Sequence, residues 1–319
     1  MTGSGDRSGL KLAAFDVGSN TVLMLALEYG KEGAPRTLAD LARITRLGRG
    51  VDRNRRLDPE SAARTLEAIT EFASRARELG VDRIVGVATA ALRDAADGAE
   101  FIARVRERAG VGLEVISGID EARLSYLAVV RGLAIDPAAR LLIVDIGGGS
   151  TELIRAEPGR ELAAMSLQIG SVRLTERCVR SDPPSDADVA SLRAAIDAAL
   201  ESLKWEFHPD RLVGIAGTVT TVCAVALGLE NYDPRVVHGH VLPLSEVERA
   251  LGLFRSRALA ERKMLPGLIE GRADVIFAGA AILERVMNRF GAGEVIVSDQ
   301  GVRFGVAWRE IERSRASML

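Results

Sequence analysis

The 319 residues suggest about two domains, and a composition 47% apolar and 27% charged is that of an ordinary soluble globular protein. A net charge of −2 supplies no global field that would argue for nucleic acid or a membrane surface. Two cysteines, Cys178 and Cys223, are too few and too isolated for a disulfide framework or a zinc site, and no apolar run approaches the roughly 20 residues of a membrane helix.

In chain order, the opening MTGSGDRSGLK lacks the apolar core of a signal peptide and reads as a short loose tail, pointing to a cytoplasmic location. LKLAAFDV (10–17) and TVLMLALE (21–28) read as the strands of a hairpin. RITRLGRGVDRNRR (43–56) packs six arginines into 14 positions. Such a run binds a polyanion (polyphosphate or nucleic acid) or, more usually, is a solvated loop; no aromatic stacking residues interleave it. The spacing next predicts a helix over 58–80, with Asp58 as N-cap, Pro59 in the first turn and Gly80 after the end. Its Ala62, Leu66, Ile69, Ala73 and Ala76 form one buried stripe.

A strand at 82–89, a helix at 100–110, a strand at 113–117 and a helix at 119–133 follow. LLIVDIGGGSTELIRAE (141–157) is a second hairpin, with a strand at 162–168 after it. Then come a helix at 184–203, a strand at 211–216, helices at 218–229, 245–256 and 273–291, a strand at 294–298 and a closing helix at 301–314. Alternation of this kind is an α/β chain. His238 and His240 lie two apart, on one face if they are in a strand, and two histidines do not make a metal site.

The two hairpins echo each other. Asp16 aligns with Asp145, 129 residues on, and the same offset aligns Gly18 with Gly147, Thr21 with Ser150 and Glu28 with Glu157. A repeat this long suggests two similar domains rather than a solenoid. Glycine at a hairpin tip brings bare N–H groups together, which suits an anion and phosphate most of all. Two such tips facing one another would hold a phosphate from both sides. No GxxxxGK[ST] or GxGxxG is present, so P-loop and dinucleotide readings fall away.

DVGSNT, VATAALRDA, GIDEARLSY, DIGGGSTEL, SLQIGSVRLTE, GIAGTVTT, VVHGH and VSDQGVRFG occur in this order along nearly the whole chain. In these segments the sequence resembles the exopolyphosphatase/guanosine pentaphosphatase family, within the actin-like ATPase superfold shared with sugar kinases and heat-shock chaperones. The resemblance implies an α/β fold of two actin-like (ribonuclease H-like) domains with a cleft between them, over 1–132 and 133–304, with the helix 305–319 packing back on the first. It implies a metal-dependent hydrolase removing terminal phosphate from inorganic polyphosphate, and guanosine pentaphosphate as a further substrate. A homodimer is compatible with it; nucleic acid and membrane are not expected partners.

By the same resemblance, Asp145 and Glu152 match carboxylates placed around a divalent metal, usually magnesium, a hard cation that takes oxygen ligands. Asp16 either holds a metal-bound water or only fixes its turn. Glu121 matches the general base, whereas Asp120 beside it suits a helix N-terminus. Gly18, Ser19, Asn20 and Thr21 form the first phosphate cradle, and Gly147, Gly148, Gly149, Ser150 and Thr151 the second. Arg93 and Arg303 match arginines that grip phosphate oxygens, two at a time. The plainer alternatives are tight hairpins, a solvated glutamate and surface arginines.

There are departures. Leu23 stands where family members often carry arginine or histidine, so one phosphate contact is in question. The further helical region of many relatives is not found, which reads as the short, two-domain form. GIAGTVTT either approaches a nucleotide or starts a helix. Two rival functions stay open on one superfold: a small-molecule kinase using ATP, and a guanosine tetra/pentaphosphate-binding regulator without turnover.

Overall fold

The computed structural model describes residues 9–30, 32–136 and 138–317. Of the loose tail expected at 1–11, residues 1–8 lie outside them, and Leu10 and Lys11 already belong to the first strand. The chain divides into two compact units: Met1–Ala128 with Val302–Leu319, and Val129–Gly301.

The first unit runs β1 (Leu10–Val17), β2 (Thr21–Tyr29), β3 (Arg36–Ile44), α1 (Val51–Asn54), α2 (Pro59–Glu78), β4 (Arg83–Ala88), α3 (Ala90–Asp94), α4 (Gly98–Ala109), β5 (Leu113–Val115) and the start of α5 (Gly118–Gly132). The second contains β6 (Leu141–Ile146), β7 (Thr151–Ala156), β8 (Ala163–Leu167), α6 (Ser171–Cys178), α7 (Asp186–Glu201), β9 (Arg211–Ile215) and α8 (Ala216–Ala226). It continues through α9 (Pro234–Val237), β10 (Val241–Pro243), α10 (Leu244–Ser256), α11 (Leu259–Arg262), α12 (Ile276–Phe290) and β11 (Glu294–Val297). The last helix, α13 (Val302–Ala316), belongs to the first unit.

The sheet of the first unit has the order β3-β2-β1-β4-β5, with β1, β2 and β3 antiparallel in turn and β1, β4 and β5 parallel. In the second unit, β8-β7-β6-β9-β11 repeats that arrangement strand for strand, and β10 adds an antiparallel edge. The echo seen in the sequence is therefore an echo of whole sheets.

Strand alternation decides the layers. In β1, Ala13, Phe15 and Val17 face a core shared with α2 and α4, while Leu12 and Ala14 face a second core. That second core is closed by Val302, Val306, Ala307 and Ile311 of α13. A sheet buried on both faces needs apolar residues at every position, which is why LKLAAFDV reads as a continuous run. In the second unit, α6, α7, α8, α10 and α12 pack over β6, β9 and β11 in one large core.

Local signals act as read. Asp58 caps α2 by accepting from the Ser61 N–H at 2.9 Å, and the predicted stripe is buried. Ser185 and Asp188 form a capping box at the start of α7. Both cysteines are buried free thiols, and burial pushes the Cys223 thiol up to about 12.

Three readings change. The arginine run is not one loop, because its first two residues end β3 and Val51–Asn54 forms α1. His238 and His240 are not in a strand: β10 starts at Val241, and both His238 ring nitrogens face backbone, the Asp299 N–H and the Gly132 carbonyl, each at 3.3 Å. GIAGTVTT starts a helix, α8. Among the described residues, no helix is long and apolar enough to cross a membrane.

Candidate active site

The residues singled out in the first unit collect at one edge of its sheet. Asp16 lies near the C-terminal end of β1 and the turn Gly18–Thr21 follows it, Arg93 is in the last turn of α3 just after β4, and Glu121 lies in the first turn of α5 just after β5. These strands are parallel, so their carboxyl ends share that edge, where open α/β sheets bind ligands. Backbone bonds tie the edge together: Thr89 N–H to Val17 carbonyl at 3.2 Å, and Ile116 N–H to Ala88 carbonyl at 3.0 Å. Arg93 reaches over the same place, its Nη1 donating to the Ile116 carbonyl at 3.2 Å.

The acidic pair at the start of α5 divides its labour. Asp120 accepts from the Ser117 hydroxyl at 2.6 Å and from Arg123 at 3.1 Å, and the Ser117 hydroxyl holds it below the usual carboxylate range. The Ser117 hydroxyl in turn accepts from the Asp120 N–H at 3.2 Å, so serine and aspartate together close the first turn of α5. Glu121 is half-buried, and its N–H bonds the Ser117 carbonyl at 2.9 Å.

The two hairpins have the same register. Asp16 pairs with Leu23 and Asp145 with Glu152, the positions related by the 129-residue offset. In each, the first turn residue donates to the carbonyl of the fourth at 3.0 Å: Gly18 to Thr21, Gly147 to Ser150. The turn carbonyls are engaged from behind. Thr45 and Arg46 donate to Asn20, and Gly48 donates to Ser19 at 2.7 Å. In the second unit, Ser171 donates to Gly147, and Val172 and Arg173 to Gly148, so the start of α6 braces that turn. Among the described residues, the N–H groups of Ser19, Asn20, Gly148, Gly149 and Ser150 donate to no backbone carbonyl. Turns with their carbonyls held away and their N–H groups open have the backbone arrangement that suits an anion.

The bracing requires glycine where the backbones meet. A Cβ on Gly170 would stand 2.4 Å from the Gly148 carbonyl oxygen, and one on Gly48 would stand 2.9 Å from the Ser19 Cβ.

The carboxylates differ in setting. Asp16 is 8% exposed; burial pushes its carboxyl up to about 6 despite the opposing charge of Arg303, and its Oδ1 has no hydrogen-bond partner among the described residues. Asp145 and Glu152 are directly opposed on β6 and β7, so their side chains share one face of the sheet. Glu152 Oε1 accepts from the Ser150 and Ser166 hydroxyls at 2.6 and 2.8 Å. Like charges directly opposed cost stability unless a cation joins them. Two carboxylates with hydroxyls nearby fit magnesium, which commonly takes one or two carboxylates, with waters and substrate phosphate completing its shell.

Arg303 lies 9% exposed in α13 with its Nε and Nη2 each 2.9 Å from the Asp40 carboxylate, and its guanidinium sits 4.9 Å from the Phe304 ring centroid. Its charge reaches Asp16, but its fork is engaged by β3. Two features carry no sequence signal of a site. Ala216, between β9 and α8, has φ of 66°, a left-handed conformation costly for any residue with a Cβ. Against it, Arg272 packs on Gly217, and the Arg272 Nε is buried without a partner among the described residues. Residue type alone cannot distinguish this arginine from the many others; only its approach to a glycine at a helix start does.

The model of the Ppx/GppA phosphatase family matches residues 28–314. Exopolyphosphatase 2 of Mycobacterium tuberculosis is 36% identical, with 93% of this chain and 97% of that protein covered. Exopolyphosphatase 1 of the same organism is 30% identical, covering 95% of this chain and 89% of its own length. Among solved structures, the Aquifex aeolicus Ppx/GppA family member superposes with a TM-score of 0.84 at 32% identity, over 96% of this chain and 98% of the other. An exopolyphosphatase from Cytophaga hutchinsonii, 24% identical and covering 95% of this chain and 98% of its own, has the same fold with a TM-score of 0.85. The α/β fold of two actin-like domains is thus established, and by the extent of these matches the chain belongs to the Ppx/GppA phosphatase family.

Proposed function

We propose that the protein is an exopolyphosphatase, hydrolysing the terminal phosphoanhydride bond of inorganic polyphosphate. The observation that carries the reading is the pair of braced turns, one in each unit, with open N–H groups and an aspartate at the end of the preceding strand. Terminal phosphoanhydrides are also what guanosine pentaphosphate presents at its 5′ end, and the proposal extends to that substrate.

In this reading, the N–H groups of Ser19 and Asn20 and of Gly148, Gly149 and Ser150 hold phosphate oxygens, with the hydroxyls of Ser19, Thr21, Ser150 and Thr151 beside them. Thr151 Oγ1 already donates to the Ile169 carbonyl at 2.5 Å, so it steadies the turn. Glu121 orients a water in line with the terminal phosphorus and accepts its proton as the P–O bond forms. The displaced oxygen leaves as the new end of the shortened chain. Arg93 in the first unit balances charge on phosphate oxygens, Arg272 offers the same charge beside Gly217 in the second, and Arg303 acts through Asp16. Asp145 and Glu152 would hold magnesium in the second unit, where it would supply positive charge against the phosphate oxygens, and Asp16 in the first unit would hold a metal-bound water or fix its own turn. The reading places the protein in the cytoplasm, where buried cysteines stay free thiols.

Release of inorganic phosphate from short polyphosphate, with magnesium and no nucleotide, tests the proposal. It predicts steady release that stops on chelation. Release that requires ATP and an acceptor would indicate a kinase, and tight guanosine tetraphosphate binding without release a regulator.

A further inference from the structure

The arginine run left two readings, and the structure separates its members. Arg43 faces inward along β3 and pairs with Glu71 through two bonds of 2.7 and 2.9 Å. Arg46 and Arg55 each sit at φ of 54°, where the backbone turns into and out of the α1 segment. Arg49, Arg53 and Arg56 are different. They are spaced four and three apart, are exposed, and line one basin of about 640 Å³ with Asn54 and Asp58.

This basin is positive and largely uncompensated. Among the described residues, Arg49 and Arg53 form no ion pair, and Arg56 has only a 3.6 Å contact to Asp97 from a side chain 71% exposed. Asp58, the one described acid in the lining, caps α2 and lies within the field of Arg49, offsetting one of the three charges. Three guanidinium groups against one lining carboxylate leave the basin net positive, so a bound anion relieves the arrangement. No aromatic residue lines the basin, so nucleic-acid bases would find nothing to stack on. A chain of phosphates without bases fits.

Its position gives it a partner site. The segment leading into it, Thr45–Gly48, is the one whose N–H groups hold the carbonyls of the Ser19–Asn20 turn. A chain bound by its end at that turn has the basin one residue further along the same segment.

We propose that Arg49, Arg53 and Arg56 form a subsite for internal phosphates of a long polyphosphate chain, one that short substrates do not reach. The inference rests on the exopolyphosphatase reading and adds a chain-length preference to it.

The test compares wild type with Arg49→Ala/Arg53→Ala, and with Arg104→Ala as an exposed arginine elsewhere in the first unit. Phosphate release is measured from long-chain polyphosphate and from tripolyphosphate over a salt series. We expect the double variant to raise KM for the long chain about tenfold, leaving tripolyphosphate kinetics and Tm unchanged. The salt dependence of long-chain KM should weaken by about one power of salt per arginine removed. Equal losses on both substrates, no loss on either, or the same loss in Arg104→Ala would overturn the subsite. If wild type releases no phosphate from any polyphosphate, the enzyme reading fails, and equilibrium binding of long-chain polyphosphate to the same variants decides the subsite. About tenfold weaker binding by the double variant alone upholds it; equal binding overturns it. Displacement of polyphosphate by an RNA oligonucleotide at equal phosphate concentration would assign the basin to nucleic acid and also overturn it.

Discussion

At the scale of single residues, two carboxylates destabilise the folded chain when charged, for different reasons. Asp16 is neutralised more easily folded than unfolded, because burial raises its carboxyl from 3.8 to about 6. Stability associated with the protonated form is complete below the unfolded value and is lost as pH rises through about 6. The loss is at most roughly 3 kcal/mol, at about 1.4 kcal/mol per pH unit. Asp16→Asn is therefore expected to raise Tm above wild type at pH 8 and to make little difference at pH 4, measured without added metal. For the opposed pair, Glu152→Gln should stabilise the protein in chelator by about 0.2–1 kcal/mol, since it relieves a cross-strand like-charge contact. The same change should raise the magnesium concentration needed for half-maximal phosphate release. Equal magnesium requirements in both proteins would remove Glu152 from the metal site. Arg303 shows why some of this was hidden in the sequence. GVRFG gives the arginine, but its Asp40 partner stands 263 residues away, and no local spacing carries such a contact.

Elements explain both what the sequence revealed and what it concealed. The hairpins were legible because each strand is buried on both sides and each turn needs its own residues, so pattern and chemistry coincide. The bracing was not. β3 is an edge strand whose RTLADLARI lacks alternation, and α6 begins inside SLQIGSVRLTE without a capping side chain. Yet these two regions supply or adjoin the N–H groups that hold the turn carbonyls. Gly170→Ala puts a methyl against a backbone oxygen, where nothing can rotate away, and should cost about 1–3 kcal/mol and most of the activity. Gly48→Ala meets a side-chain carbon at 2.9 Å and should cost less in both respects. Denaturant midpoints and kcat for the two variants check the order; the reverse order would deny that α6 braces the turn.

For the whole molecule, the same five-strand arrangement appears twice, and the chain returns to its first unit to finish it. Val302, Val306 and Ile311 cover a sheet face that no other described helix closes so fully, and Glu310 pairs with Arg83 at 2.9 Å. Ending the chain at Gly301 should remove roughly 5 kcal/mol or more, comparable to the stability of a whole domain. Such a truncation is expected to bind a hydrophobic dye and to lose one unfolding transition, visible by calorimetry. The return was readable in outline from the closing helix, because its apolar positions needed a partner; which unit it joins rests on packing that no periodicity specifies.

The measurement that bears most directly on the account is magnesium-dependent phosphate release from short polyphosphate by wild type, Glu121→Gln and Asp120→Asn. The two acids are adjacent, and Asp120 is held by the Ser117 hydroxyl and Arg123. The account predicts release by wild type, a fall of about 10²–10⁴ in kcat for Glu121→Gln, and near-normal kcat with a modestly lower Tm for Asp120→Asn. Full activity in Glu121→Gln would contradict it, because no proton acceptor would then be where the reaction requires one.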